Sequence, residues 1–291
     1  MTRSVWHYVD SSGPGGIESH LAELLPTLRS DNVRPELVLH AGYGEHPLRA
    51  ALDAARIPHR TLNRGFLDLL WNLWKDKPQV IHTHGYKAGI FARLARVFGG
   101  PPVVSTMHSG DFGGGRVGFY NRLDDLTAGL GKVIAVSAEL GARHKSSEII
   151  SNGVKVPEIH PGTGRAIAFV GRFEEEKGPV EFVQLAKALP EIECLAFGDG
   201  SLLAEAKSMA GDAVTFHGSV PSMEPYWQEV GLLVMPSRFE GLPMAALEAM
   251  ARGVPVAGYS VGGLTELLSD GRGFIAAPGD LSGLRQAVQN W

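Results

Sequence analysis

Two glutamates, Glu240 and Glu248, stand eight positions apart in the segment PSRFEGLPMAALE, residues 236–248. The apolar run GLLVMPS ahead of them predicts a strand that ends at Met235. Pro243 marks the first turn of a helix, where a missing N–H removes no intrahelical bond, and Gly253 ends that helix. Glu240 therefore falls in a loop and Glu248 inside the helix. Each carboxylate can accept bidentate hydrogen bonds from vicinal hydroxyls. Between them, the amides around Gly241, Leu242 and Met244 point away from the helix start, toward an anion or sugar oxygens. The competing reading is a solvated helix end that holds nothing.

A second cluster is FVGRFEEEKG, residues 169–178. Arg172 offers a bidentate fork and Lys177 a point charge, a pairing suited to two phosphates. Glu174, Glu175 and Glu176 between them read as a solvated turn; without a ligand the whole stretch is an exposed charged loop. In GPGGIE, residues 13–18, Gly15 and Gly16 let backbone approach a phosphate or sugar at a helix start, although a plain tight turn would use the same residues. The segment nearly imitates a dinucleotide fingerprint, but Glu18 occupies the third glycine position, which disfavours NAD. HTHG at 82–85 and TMHSGD at 106–111 end successive strands. His108 is the candidate donor to an oxygen that gains charge. His82 and His84 share a strand face and are expected to be hydrogen-bonded structure. A zinc site from His82, His84 and His108 lacks a carboxylate or cysteine at a familiar spacing, so no metal is expected.

These residues need a scaffold that brings strand ends together. Short β-branched runs alternate with helix-like segments: strands at 5–9, 36–40, 79–84, 102–108 and 132–137, with helices at 18–28, 47–55 and 87–98. The rhythm restarts with strands at 166–171, 194–198, 214–218, 231–237 and 254–258. Such βαβ alternation predicts two parallel sheets covered by helices. Residues 156–165, with two prolines and two glycines, read as an interdomain linker. Ligands of open parallel sheets sit beyond the carboxyl ends of the strands, which is where the residues above fall. The segment GFLDLLWNLWKDK, 65–77, is apolar over a wide face that includes Phe66, Trp71 and Trp74. A face this wide reads first as buried against a sheet. Its alternative is a membrane-interface patch, with Arg60, Arg64, Lys75 and Lys77 beside lipid headgroups. GGGR at 113–116 shows no periodicity and reads as a loop near the acceptor.

The chain has 291 residues, enough for about two domains. Its 44% apolar and 20% charged residues exclude a largely disordered chain, and no run approaches the ~20 apolar residues of a membrane span. The start, MTRSVWHYVD, reads as a strand and not as a signal peptide. A single cysteine, Cys194, excludes an internal disulfide and fits a reducing cytoplasm. The net charge of −4 argues against general nucleic-acid binding. Residues 1–160 carry 18 Lys+Arg against 15 Asp+Glu, net +3, and residues 161–291 carry 9 against 16, net −7. The basic half could face an anionic ligand or a membrane surface.

EGLPMAALE resembles the E-x7-E motif of retaining GT-B glycosyltransferases, specifically the glycogen-synthase-like family 4. The resemblance runs through the chain in order. It takes in GPGGIE, the histidine of TMHSGD, SNGV at 151–154, FVGRFEEEKG, AFGDGS at 196–201, FHGSVP at 216–221 and GGLTEL at 262–267. It implies an α/β GT-B fold: an acceptor-side Rossmann-like domain over 1–157 facing a nucleotide-sugar-binding one over 158–291 across a cleft. It assigns Glu240 to the donor sugar, Glu248 to the ribose, Arg172 and Lys177 to the diphosphate, and His108 to the sugar and phosphate. Backbone at Gly15, Gly16, Gly241, Leu242, Gly263 and Leu264 is assigned to the donor as well, with Glu266 beside the closing loop. Lys155 stands where the family usually has an acid, and the chain is short, ending at Trp291 where relatives continue with a helix crossing back.

The implied reaction moves a sugar from a nucleotide diphosphate, with UDP the commonest base, to a hydroxyl acceptor with retention. It belongs to surface polysaccharide or glycolipid synthesis and needs no cofactor and no metal, for no Asp-x-Asp clamp occurs. The implied location is the cytoplasm, with peripheral contact on the inner membrane face as a variant. Two rivals remain. A nucleotide-sugar epimerase of the same architecture would isomerise the donor without an acceptor, and a silent nucleotide-sugar-binding protein would bind without turnover.

Overall fold

The computed structural model describes residues 3–11, 13, 15–30, 32–42, 46, 48–108, 115–142, 147–158 and 164–291. The chain divides into two compact units, residues 1–152 and 153–291. In the first, the strands are β1 (Arg3–Val9), β2 (Val33–Leu39), β3 (His59–Thr61), β4 (Val80–His84), β5 (Val103–Met107), β6 (Lys132–Ala135) and β7 (Glu148–Ile149). They form one parallel sheet in the order β3-β2-β1-β4-β5-β6-β7. The helices between them are α1 (Gly16–Leu28), α2 (Leu48–Ala54), α3 (Gly65–Asp76), α4 (Tyr86–Val97), α5 (Gly115–Thr127) and α6 (Ala138–Gly141).

Alternation along β1 sends Trp6 and Tyr8 to one face, with α3 and α4, and Val9 to the other, with Leu21 and Leu25 of α1. Each such buried apolar side chain contributes about 1.5–3 kcal/mol of transfer free energy. Arg93 of α4, 1% exposed, ties α5 in place by donating to the carboxylate of Asp124 at 2.7 Å and the hydroxyl of Thr127 at 3.1 Å.

The α3 helix corrects the expectation of a buried face. Leu69 and Leu73 enter the core, but Leu67, Trp71 and Trp74 are 74%, 62% and 69% exposed. The stripe of Asp68, Asn72 and Asp76 is engaged instead: Arg60 donates to Asn72 and Asp76, and Asp68 accepts from the Asn63 amide. Leu69 and Leu73, with the half-buried Phe66 and Leu70 packed beside them, seat the helix, and satisfying its polar stripe leaves both tryptophans outward. Of the GGGR loop, Gly113 and Gly114 lie outside the described residues, as do Pro14, Ser109, Gly110, Asp111 and 159–163 of the expected linker, while Gly115 opens α5.

In the second unit the strands are β8 (Ala166–Val170), β9 (Cys194–Phe197), β10 (Thr215–Gly218), β11 (Val230–Met235), β12 (Val256–Tyr259) and β13 (Phe274–Ala276). They pair in parallel in the order β10-β9-β8-β11-β12-β13. Helices α7 (Pro179–Lys187), α8 (Leu203–Ala210) and α11 (Leu281–Asn290) cover the face that carries Ile167 and Phe169. Helices α9 (Met244–Met250) and α10 (Gly262–Leu268) cover the face that carries Ala168 and Met235. Strands covered on both faces must be apolar at every position, which is why they read as continuous runs.

Candidate functional site

Each sheet reverses its strand order once. In the second unit the crossovers run outward from β8 through β9 to β10, and from β11 through β12 to β13, so β8 and β11 flank the switch point. Ligands of doubly wound sheets occupy the crevice at the carboxyl end of such a pair. Lys177 lies in the short turn Glu175–Lys177 after β8, and Glu240 lies in the loop after β11. The sheet joins these residues across 63 positions of sequence: Lys177 Nζ donates to both Glu240 carboxylate oxygens at 2.8 Å each. Glu240 is nearly enclosed, its side chain 4% exposed against 23% for Lys177. Two charge-assisted bonds fix the plane of that carboxylate.

Arg172, at the end of β8, is exposed and donates to Glu176 at 2.6 Å. Of the neighbouring acids read from sequence as a solvated turn, Glu175 is exposed, while Glu174 and Glu176 are half-buried, and all three are bonded. Glu174 accepts from the Ser201 amide at 2.9 Å and from its hydroxyl at 2.6 Å, and these bonds hold its carboxyl below the usual range. Glu175 and Glu181 accept from Arg238 at 2.6 and 2.8 Å, while the Arg238 amide donates to the Glu176 carbonyl at 2.8 Å. Each acid has a particular basic or hydroxyl partner contributed by a neighbouring loop or helix.

Backbone packing fastens three loops together. Gly178 has φ +67°, and a Cβ there would collide with the carbonyl oxygen of Pro236. Gly262, φ +51°, is held as closely against the Glu240 carbonyl, and the Gly263 amide donates to Gly241 at 2.7 Å. Gly263 and Leu264 therefore sit inside α10: the Leu264 amide donates to Val261 at 3.1 Å and its side chain packs in the core. Gly241 is buried, Leu242 and Glu248 are half-buried, and Glu248 is in α9, its carbonyl accepting from Arg252 at 2.8 Å. The helix begins at Met244, with Pro243 as its N-cap residue.

In the first unit the order reverses between β1 and β4. Gly15 caps α1 just beyond β1, its carbonyl accepting from Ser19, and Gly16 is the first helical residue. Glu18 is turned inward and buried. The same switch point collects five histidines: His7 of β1, His20 of α1, His82 and His84 of β4, and His108 just past β5. His7 and His82 are register partners, which puts them on one sheet face with His84. His82 bonds Thr106 at 2.7 Å. His7 Nδ1 faces His84 Nε2 at 3.2 Å, and His84 Nδ1 faces His108 Nε2 at 2.9 Å. Burial and the neighbouring imidazoles push His7, His84 and His108 well below the ordinary histidine range, and burial brings His82 to about 4. His20 is lowered by burial too. All five are thus neutral imidazoles near pH 7. The ligand-capable atoms of His7, His82 and His84, and of His20, His84 and His108, lie within 4.8 Å of one another. Three imidazoles on one zinc need nitrogens ~3.3 Å apart. His7 and His20 carried no sequence signal of their own; the order of β1 beside β4 supplies it.

Residues 14–157 match the family model described as Glycosyltransferase Family 4, and residues 164–291 match the one described as Glycosyl transferases group 1. The Bacillus subtilis glycosyltransferase TuaC, named for teichuronic acid biosynthesis, is 27% identical over 92% of this chain and 76% of its own length. The 2-deoxystreptamine glucosyltransferase of Streptomyces kanamyceticus is 36% identical over 53% of this chain and 47% of its own. This chain thus spans about half the length of that relative. Among solved structures, Anabaena HepE in complex with UDP-glucose superposes with a TM-score of 0.85 at 18% identity, covering 99% of this chain and 89% of HepE. At that identity the likeness shows a shared fold.

Proposed function

Because this chain belongs to glycosyltransferase family 4, with the GT-B fold of its members, we propose that it transfers a sugar from a UDP-sugar to a hydroxyl acceptor with retention at the anomeric carbon. The acceptor is proposed to be an intermediate of surface polysaccharide or glycolipid synthesis. TuaC is named for a surface polymer, and an Escherichia coli relative, 25% identical over 66% of this chain, is named for a galactosyl transfer to a diphosphoundecaprenol-linked sugar.

The observation that carries the reading is the Lys177–Glu240 pair at the switch point of the second sheet, with Arg172 at the end of the same strand. Glu240 accepts hydrogen bonds from donor-sugar hydroxyls, its carboxylate held in plane by Lys177. Glu248 accepts from the ribose hydroxyls. Negative charge grows on the departing diphosphate as the glycosidic bond breaks, and Arg172 and Lys177 stabilise it in place of a divalent ion. His108 donates to an oxygen of the donor. The amides of Gly15, Gly16, Gly241 and Leu242 supply further donors, whereas the amides of Gly263 and Leu264 shape the loop, being bonded within the protein.

The test is turnover of UDP-sugars followed by NMR, with and without glycan acceptors. Acceptor-dependent release of UDP supports the reading; isomerised donor without acceptor indicates an epimerase, and binding without turnover indicates a silent binder. Arg172→Ala and Lys177→Ala should each lower kcat/KM on the order of 10²-fold, as loss of an oxyanion donor does elsewhere. Near-normal turnover in both removes the phosphate assignment.

A further inference from the structure

We propose that His7, His84 and His108 form a tautomer-locked imidazole chain that presents His108 to its ligand as a neutral Nδ1–H donor, with His7 and His84 as positioning residues. Each neutral imidazole carries one N–H and one lone pair. Each contact in the chain, His7 Nδ1 to His84 Nε2 and His84 Nδ1 to His108 Nε2, needs one of each. Choosing the direction of one bond therefore fixes all three rings. In one arrangement His7 Nδ1–H donates to His84 Nε2 and His84 Nδ1–H donates to His108 Nε2. His108 then keeps its proton on Nδ1. In the other, every bond is reversed, and His108 is left with a bare Nδ1.

The far end of the chain decides between them. His7 Nε2 is buried with no hydrogen-bond partner among the described residues. The reversed arrangement would put a proton there, an orphaned buried N–H, which folded proteins avoid more strictly than an unused lone pair. The first arrangement leaves only a lone pair at that place. His7 and His84 are fully buried, so water does not compete for their bonds, while His108 is half-buried and ends the chain. The other titratable groups facing the chain are His20 of α1 and His82 of β4. Both are neutral near pH 7, so neither supplies a charge that would break the order. A base at His108 is thereby excluded in the resting protein: the ring is a donor. That this donor meets an oxygen of a sugar nucleotide rests on the glycosyl-transfer reading; the tautomer does not.

The experiment is two-bond proton–nitrogen correlation on protein labelled with 15N at histidine, at pH 7.5, with no donor or acceptor added. Isolated histidine favours Nε2–H, so an Nδ1–H pattern at His7, His84 and His108 is diagnostic. His7→Leu removes the donor that pins His84, and the His108 signals should move to a mixture of tautomers although the two rings are not in contact. Because His108 donates to an oxygen that gains charge only as the sugar departs, turnover should fall with the competent fraction, about five-fold in kcat if one fifth of Nδ1–H remains, with KM for the donor unchanged. His7→Asn, whose amide N–H takes the place of Nδ1–H, should restore both. His84→Gln, which leaves His108 Nε2 without its partner, should release His108 in the same way should His7→Leu fail to fold. An Nε2–H tautomer at His108 in the unaltered protein overturns the proposal. So does an unchanged His108 spectrum in folded His7→Leu, or stoichiometric zinc on these nitrogens. If the tautomers behave as stated and no sugar nucleotide is turned over, the chain stands and the transfer reading fails.

Discussion

Lys177→Met isolates what the Lys177 ammonium does for Glu240, because methionine keeps most of the aliphatic stem. The substitution deletes two charge-assisted hydrogen bonds of 2.8 Å and leaves a carboxylate whose side chain is only 4% exposed. Breaking a fully buried pair from one side costs about 3–5 kcal/mol, and a hydrogen bond to a charged group contributes about 1.5–3. Lys177 is 23% exposed, so solvent already screens part of the pair and the expected loss is about 2 kcal/mol. For a unit of this size 1 kcal/mol moves Tm by about 2–4 °C, which puts the shift at about 4–8 °C. Glu240→Gln should lose a similar amount alone. In the double variant no charge is left unpaired, so a cycle of the four proteins should show coupling of about 1.5–2 kcal/mol. Calorimetry resolves the transition, and the buried Trp227 reports on the second unit by fluorescence. Coupling below about 0.5 kcal/mol, the scatter of independent sites, would refute the claim that the ammonium holds the carboxylate.

The exposed Trp71 and Trp74, with Arg64, Lys75 and Lys77 nearby, should carry the protein onto vesicles containing anionic lipid. Replacing both tryptophans by serine should cut partitioning at least on the order of tenfold, as about 1.5–3 kcal/mol per buried aromatic implies, and unchanged cosedimentation would sink the membrane contact. Stability should also fall on mild acidification. His7, His82, His84 and His108 have folded pKa values below the ordinary 6.5, so the unfolded chain binds more protons once the pH drops below that value. The stabilisation is complete above pH 6.5 and declines by up to about 1.4 kcal/mol per pH unit for each histidine, through about 4 in the case of His82. A Tm that stays level between pH 7 and 5 contradicts the neutral cluster.

The βαβ rhythm was legible because buried strands such as β8 and β11, AIAFV and VGLLVM, are apolar throughout. The strands β3, β7 and β13, with three, two and three residues, are too short to show a period, and all three are sheet edges. Arg172, Lys177, Glu240 and Glu248 could be picked out by type and spacing. That Lys177 grips Glu240 could not, since only the pairing of β8 with β11 brings them together. His7 was hidden for a similar reason: it looks like one polar residue in a strand until β1 is laid beside β4. The tryptophans of α3 misled in the opposite sense. Apolar width predicts burial, but Arg60 engages the polar stripe and leaves the aromatic side outward.

The seam formed by Gly178 against Pro236, Gly262 against Glu240, and Gly263 bonded to Gly241 bears on any effort to change donor choice. Segments 171–178, 236–243 and 260–263 interlock through main-chain atoms, so their shapes are mutually templated whatever side chains they carry. Grafting one of them from another glycosyltransferase would force a foreign curve against two native ones. A recombinant that keeps all three from a single parent preserves the fit, which makes the trio, and not the individual loop, the exchangeable module.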